Sequence, residues 1–370
     1  MSQVPPAASL LRTRQHFEIL DGLRGIAAIA VVVFHFMEIA IPNVEESLVT
    51  HTYLAVDFFF CLSGFVIAYA YDGRLPQIGV GTFLKLRLIR LHPLVIIGTV
   101  LGLLVFILDP FSQLWLKYAD KLLLMFLAGC LMIPYPLVQE RFFNLFHLNA
   151  PVWSLFWEYI ANIVYAVVLV RMAKKWLWVL ALISAVALFY EAQRSGHLSI
   201  GWGGDNIRGG GFRVAWSFLA GMLVYRMNWI IRNKMGFGMM AVLLAIVFFI
   251  PFTKETAPWV DPVLSVFYLP LLVALGAGAS LSDKTVAICR FSGNISYPLY
   301  MVHYPFIWVY FSYLEQAKPS QSTMFLIAGI GTLLLIGLAY LVLKYVDAPI
   351  RRYLTQRMVA KTSRPAGVTG

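Results

Sequence analysis

Apolar runs of about twenty residues recur along this chain from near residue 20 to near residue 345, and that feature restricts its fold more than any motif does. Inside a hydrocarbon core of about 30 Å a backbone must satisfy its own hydrogen bonds, and about 20 apolar residues in an α-helix do so. Composition agrees: 60% of the 370 residues are hydrophobic and 13% are charged, against about 25% charged in soluble domains. The formal charge of +11 does not point to nucleic acid, because Lys and Arg gather in short loops beside the apolar runs, as the positive-inside bias expects. Cys61, Cys130 and Cys289 have no CxxC spacing, so neither a disulfide framework nor a zinc site is indicated. No His, Cys, Asp and Glu run has metal-ligand spacing. Residues 1–18 carry Arg12, Arg14 and His16 with no small-residue cleavage site after the apolar run, and read as a cytosolic lead-in. Residues 19–352 read as one integral membrane domain and 353–370 as a basic cytosolic tail.

Eleven segments are candidate spans, near 20–40, 52–71, 91–108, 121–133, 151–170, 176–190, 212–226, 236–252, 262–280, 292–313 and 323–345. Loop charge sets their parity. The basic lead-in and the tail with Arg351, Arg352, Arg357, Lys361 and Arg364 both belong in the cytosol, which requires an even count. The acidic loop NVEES suits the outer side, whereas Arg74 to Arg90, RMAKK, RMNWIIRNK and SDKTVAICR suit the inner side. The segment 121–133 is short and broken by Gly129, Pro134 and Pro136, so it is expected to be re-entrant or interfacial. The expected fold is therefore an all-α polytopic membrane protein with about ten transmembrane helices, and 109–150 forms a large outer region.

Ionisable groups inside such helices are costly and mark pathways or reaction sites. Arg24 and His35 are eleven residues apart, which puts them within about 20° on one helical face and about 16 Å apart along it. Arg24 can also be read as a group that snorkels to lipid headgroups, and His35 as a helix–helix hydrogen bonder. Asp57 is expected at the depth of His35, where it can orient the imidazole. Glu158 lies two turns into a span that begins outside, and His303 and Tyr297 sit where Pro298 and Pro305 distort a helix. Each of these three acids and bases can instead be one half of a buried polar pair. Trp153 reads as an interfacial anchor, and His16, His51, His147 and His197 receive no role. Lys85, Arg87 and Arg90 cluster where a span is about to start. Arg87 and Arg90, at i,i+3, present two guanidinium forks that suit phosphate and pyrophosphate, although an ordinary inside-positive flank looks the same. No Walker or GxGxxG loop is present to bind a nucleotide in the soluble manner.

LDGLRGIAAIAVVVFH resembles the opening signature of the membrane-bound acyltransferase family 3, in which an Arg and a His are separated by ten residues, here Arg24 and His35. DFFFCLSGF, KLRLIRLHP, PVWSLFWEY and GNISYPLYMVHYP fit further blocks in order, and DAPIRR is similar to the family's ending. Leu86 departs from relatives that carry a second base beside Lys85. The resemblance implies an O-acyltransferase that moves an acyl group, usually acetyl, from cytosolic acyl-CoA to a hydroxyl of an exported or lipid-linked carbohydrate. The bacterial inner membrane is the expected location and no metal is implied. Arg24, Lys85, Arg87 and Arg90 would bind the donor. His35 would be general base or acyl carrier, with Asp57 or Glu158 supporting it, and Ser63, Trp153, Tyr297 and His303 would line the substrate. A transporter or flippase without covalent chemistry is the rival reading.

Overall fold

The computed structural model describes residues 17–362, and among these every regular element is helical. In chain order the α-helices are α1 (Glu18–Ala40), α2 (Ala55–Tyr71), α3 (Leu75–Ile78), α4 (Val80–Leu108), α5 (Leu114–Lys117) and α6 (Leu122–Leu131). There follow α7 (Val152–Val167), α8 (Lys174–Ser195), α9 (Ile207–Arg226), α10 (Phe237–Phe248) and α11 (Ala257–Val263). The chain ends with α12 (Leu269–Gly278), α13 (Asp283–Val302), α14 (Tyr304–Ala317), α15 (Gln321–Val342) and α16 (Ala348–Thr362). Most of the lead-in, residues 1–16, and the end of the tail lie outside the described residues.

Among the described residues, six helical stretches are long and apolar enough to cross a membrane: Glu18–Ala40, Thr50–Tyr71, Val80–Leu108, Lys174–Ser195, Ala257–Gly278 and Gln321–Ala360. Two further helices of 20 residues each, α9 and α13, are long enough but not apolar enough. α13 carries its charges, Asp283, Lys284 and Arg290, exposed in its first half, whereas α9 turns polar groups into protein. In α9, Arg213 and Ser217 are buried and the helix is enclosed by α2, α7, α8 and α12. The ten residues of α6 reach about 15 Å, half of a hydrocarbon core, before Met132 turns left-handed at φ 53°. α13 begins at Asp283, so residues expected in a cytosolic loop, Arg290 among them, are helical, and Arg290 donates to Glu18 at 2.7 Å.

Two helix pairs form the most extensive contacts, α1 with α13 and α2 with α9. Both depend on missing side chains: a methyl on Gly25 would overlap Ser292, and one on Gly221 would overlap the Cys61 carbonyl. α13 and α14 meet at His303, whose dihedrals stay helical at φ −76° and ψ −41°, so the chain bends there without reversing. Pro305 accounts for the bend, since it supplies no N–H to the preceding turn. Two π turns, Leu264–Tyr268 and Leu343–Asp347, each precede a proline by one intervening residue. The rings of Pro270 and Pro349 would press on the carbonyls of Val266 and Tyr345 in a regular helix, and the wider turn relieves that contact.

Candidate functional site

Arg24 projects from α1 onto α13. Its Nε donates to the Ser296 hydroxyl at 2.9 Å and its Nη2 to the Gly293 carbonyl at 3.0 Å, with Asp21 on the same guanidinium at 3.0 Å. The side chain is 29% exposed. It is thus held by neighbouring protein groups, and the alternative of an arginine reaching out to headgroups is not what the structure places there.

The second guanidinium group comes from α4. This helix starts at Val80, after Gly79 at φ 77°, so Arg87 and Arg90 lie well inside it. Arg87 is buried and donates to Glu158 of α7 at 2.7 Å, while Ser63 of α2 donates to the same carboxylate oxygen at 3.0 Å. Glu158 therefore joins the donor-side cluster and not the imidazole it was expected to support. Arg90 is exposed, and Arg87, Arg24, Glu158 and Arg351 are the charged groups around it. Among the described residues it has no acidic partner in hydrogen-bond contact, and Lys85 is exposed. Tyr297 of α13 closes the cluster by donating to the Leu91 carbonyl at 2.6 Å, beside Pro93.

At the other end of α1, His35 Nδ1 lies 3.3 Å from a carboxylate oxygen of Glu38, one turn further along the same helix. With Nδ1–H donated to that carboxylate, Nε2 keeps its lone pair, the arrangement a general base needs. His303 stacks on His35 with ring centroids 5.4 Å apart and planes 19° apart, and Tyr304 meets His35 edge-on at 4.8 Å. His303 is fully buried, and its Nδ1 lies 2.9 Å from the Tyr300 carbonyl and 3.1 Å from that of Leu299. Two carbonyls can only accept, so the hydrogen-bond network assigns the proton to Nδ1 and leaves Nε2 bare.

Asp57 is not in this group. Its carboxylate takes a forked pair from Arg213 of α9, with the shortest contact at 2.6 Å, and both side chains are buried. Arg213 also donates to the carbonyls of Tyr53 and Ile200 at 2.7 and 2.9 Å. The pair is satisfied on all sides and joins α2, α9 and the 196–206 loop. Trp153 is likewise 7% exposed rather than interfacial, lying under the Arg213 guanidinium at 5.3 Å. His51, unassigned from sequence, is buried 2.8 Å from Asp261. Glu38 and Arg213 were the residues missed. Glu38 carried a signal, an acid at i+3 from His35, and so did Arg213, a charge inside an apolar run. Among the described residues no cluster of three metal-ligating side chains exists.

The site thus has guanidinium groups at one end of α1 and an imidazole–carboxylate pair at the other. The family described as acyltransferase domain matches residues 17–344. This chain belongs to acyltransferase family 3. A relative, protein 2 in the picA locus of Rhizobium radiobacter, is 36% identical over 202 residues, covering 52% of this chain and 98% of that protein. No solved structure matches the chain. The matched family and the apolar helices together make this acyltransferase an integral membrane protein. The matched region contains Arg24, His35, Glu38, the α4 arginines, Glu158 and His303.

Proposed function

We propose that this family 3 acyltransferase takes an acyl group, acetyl in the simplest case, from cytosolic acyl-CoA and esterifies a hydroxyl of a carbohydrate presented on the opposite face of a bacterial inner membrane. The observation that carries this reading is the polarity of α1: Arg24 among guanidinium groups at one end, His35 with Glu38 at the other, about 16 Å apart on one face. Arg24, Arg87 and Arg90 suit the donor's phosphates, with Lys85 exposed on the same helix as the last two. The extended pantetheine arm has the length to carry the thioester from there to His35. His35 Nε2 takes the proton of the acceptor hydroxyl as its oxygen attacks the thioester carbonyl. The C–S bond then breaks, the proton passes to the departing thiolate, and an ester and free CoA result. Glu38 steadies the imidazolium, and His303 and Tyr304 wall the imidazole. In this reading about ten helices cross the bilayer, both termini are cytosolic and α6 is re-entrant or interfacial.

The decisive experiment supplies acetyl-CoA labelled in the acetyl group, with extracted envelope glycan, to purified protein in nanodiscs. Label should enter alkali-labile ester on the glycan with equal release of CoA thiol. Glycan movement without thiol release would mean transport, and the reading would fall.

A further inference from the structure

Downstream of the second π turn, α16 packs on α4, the helix of Arg87 and Arg90. A groove of about 410 Å³ opens on α16, lined by Ala348, Arg351, Arg352, Thr355 and Gln356. Arg351 is held by Asp347, itself 1% exposed, at 2.7 Å. One oxygen of Asp347 and Nε of Arg351 are buried with no protein partner among the described residues. The π turn matters to this geometry, because its extra residue rotates everything beyond it by about one helical position. It therefore sets which face of α16 meets α4. Arg351 lies near Arg90, so the groove and the α4 arginines are neighbours.

Charge balance shows what the joined surface can hold. Its guanidinium groups are Arg24, Arg87, Arg90, Arg351 and Arg352. Three carboxylates, Asp21, Glu158 and Asp347, pair with Arg24, Arg87 and Arg351. Five cations less three anions leave two positive charges, on Arg90 and on exposed Arg352, neither with an acidic partner among the described residues. Arg351 and Arg352 present two forks beside a threonine hydroxyl and a glutamine amide, and Asp347 offsets one of their two charges; such a set suits a phosphomonoester, which has three acceptor oxygens.

We propose that the α16 groove is a phosphomonoester site that receives the 3′-phosphate end of the acyl-CoA donor, with Arg351 and Arg352 as its ligands. This rests on the acyl-CoA reading above. Arg87 and Arg90 then take the pyrophosphate, and the donor's nucleotide lies across α4 and α16.

The test uses full-length protein in zwitterionic nanodiscs and two donors, acetyl-CoA and acetyl-dephospho-CoA, which lacks only the 3′-phosphate. Native protein should show a KM for acetyl-CoA about tenfold lower than for the dephospho donor, the size of one charge-assisted contact. Arg352→Gln should erase that preference by raising the KM for acetyl-CoA about tenfold, towards that of the dephospho donor. Equal effects on both donors, or none, would overturn the site. So would a preference that appears only with anionic lipid present, which would mark a headgroup site. If native protein transfers nothing from acetyl-CoA, the donor reading fails by itself. The groove is then judged by calorimetric binding of adenosine 3′,5′-bisphosphate, which Arg352→Gln must weaken.

Discussion

In the proposed reaction, His35 and Glu38 are the residues on which the chemistry turns. His35→Ala should lower acyl transfer about 10²–10⁴-fold, the usual loss for a general base, with membrane insertion unchanged because alanine suits a spanning helix. Glu38→Gln should lower kcat by about 10² while KM for the donor holds, since the carboxylate only steadies the imidazole. Steady-state kinetics of both variants check this, and an unaffected Glu38→Gln would remove the dyad. A third residue bears on stability. His147, in the outer loop before α7, is 2% exposed, and burial, then the nearby Arg141 guanidinium, hold its pKa down to about 3. The unfolded chain takes up that proton near pH 6.5 and the folded one does not, so the contribution is lost as pH falls from about 6.5 towards 3. Between pH 7 and pH 5 the loss is about 2 kcal/mol. Thermal inactivation in detergent should therefore steepen over that range, and His147→Leu should flatten the profile.

At the scale of elements, the α2–α9 pair behaves as a scaffold. Asp57→Asn leaves Arg213 buried without its counter-charge, a loss of about 3–5 kcal/mol, so it should lower the yield of folded protein. The fraction that does fold should turn over at near-native kcat. Loss of kcat without loss of stability would return Asp57 to the chemistry. The glycine contacts give a cleaner comparison. Gly221→Ala should destabilise by about 1–3 kcal/mol because its methyl meets the Cys61 carbonyl. In α10, Gly238 has open space around it, so Gly238→Ala should be neutral or stabilising by up to about 1 kcal/mol. Melting temperatures of the two variants should move in opposite directions.

For the whole molecule, the proposed reaction requires that the two ends of α1 face different compartments. Single cysteines replacing exposed Gln113 and Gln139 flank α6. In a background lacking Cys61, Cys130 and Cys289, both should react with an impermeant thiol reagent outside intact cells. Labelling of only one would mean that α6 crosses, which changes the parity of every later helix. The acceptor would then have no outward entrance beside His35.

Local rules in the sequence were enough for the helical class, the length of the apolar runs and the shared face of Arg24 and His35. Each depends only on composition or on the fixed 100° step of a helix. Even the tight α1–α13 seam had its trace in Gly25 and Gly293. Depth could be counted along the chain, but rotation about a helix axis relative to neighbours could not. Asp57 and His35 were expected at one depth, yet α2 turns Asp57 towards α9, where Arg213 holds it. Glu158 was assigned to the outer half, and the place where α7 crosses α4 brought it to Arg87 instead. The apolar count likewise passes over α9, because a helix sheathed in protein can carry a charge such as Arg213 that a lipid-facing one cannot. Which buried charges meet is thus decided by packing, since a pair enclosed away from water is stable only when tertiary contacts bring both partners together.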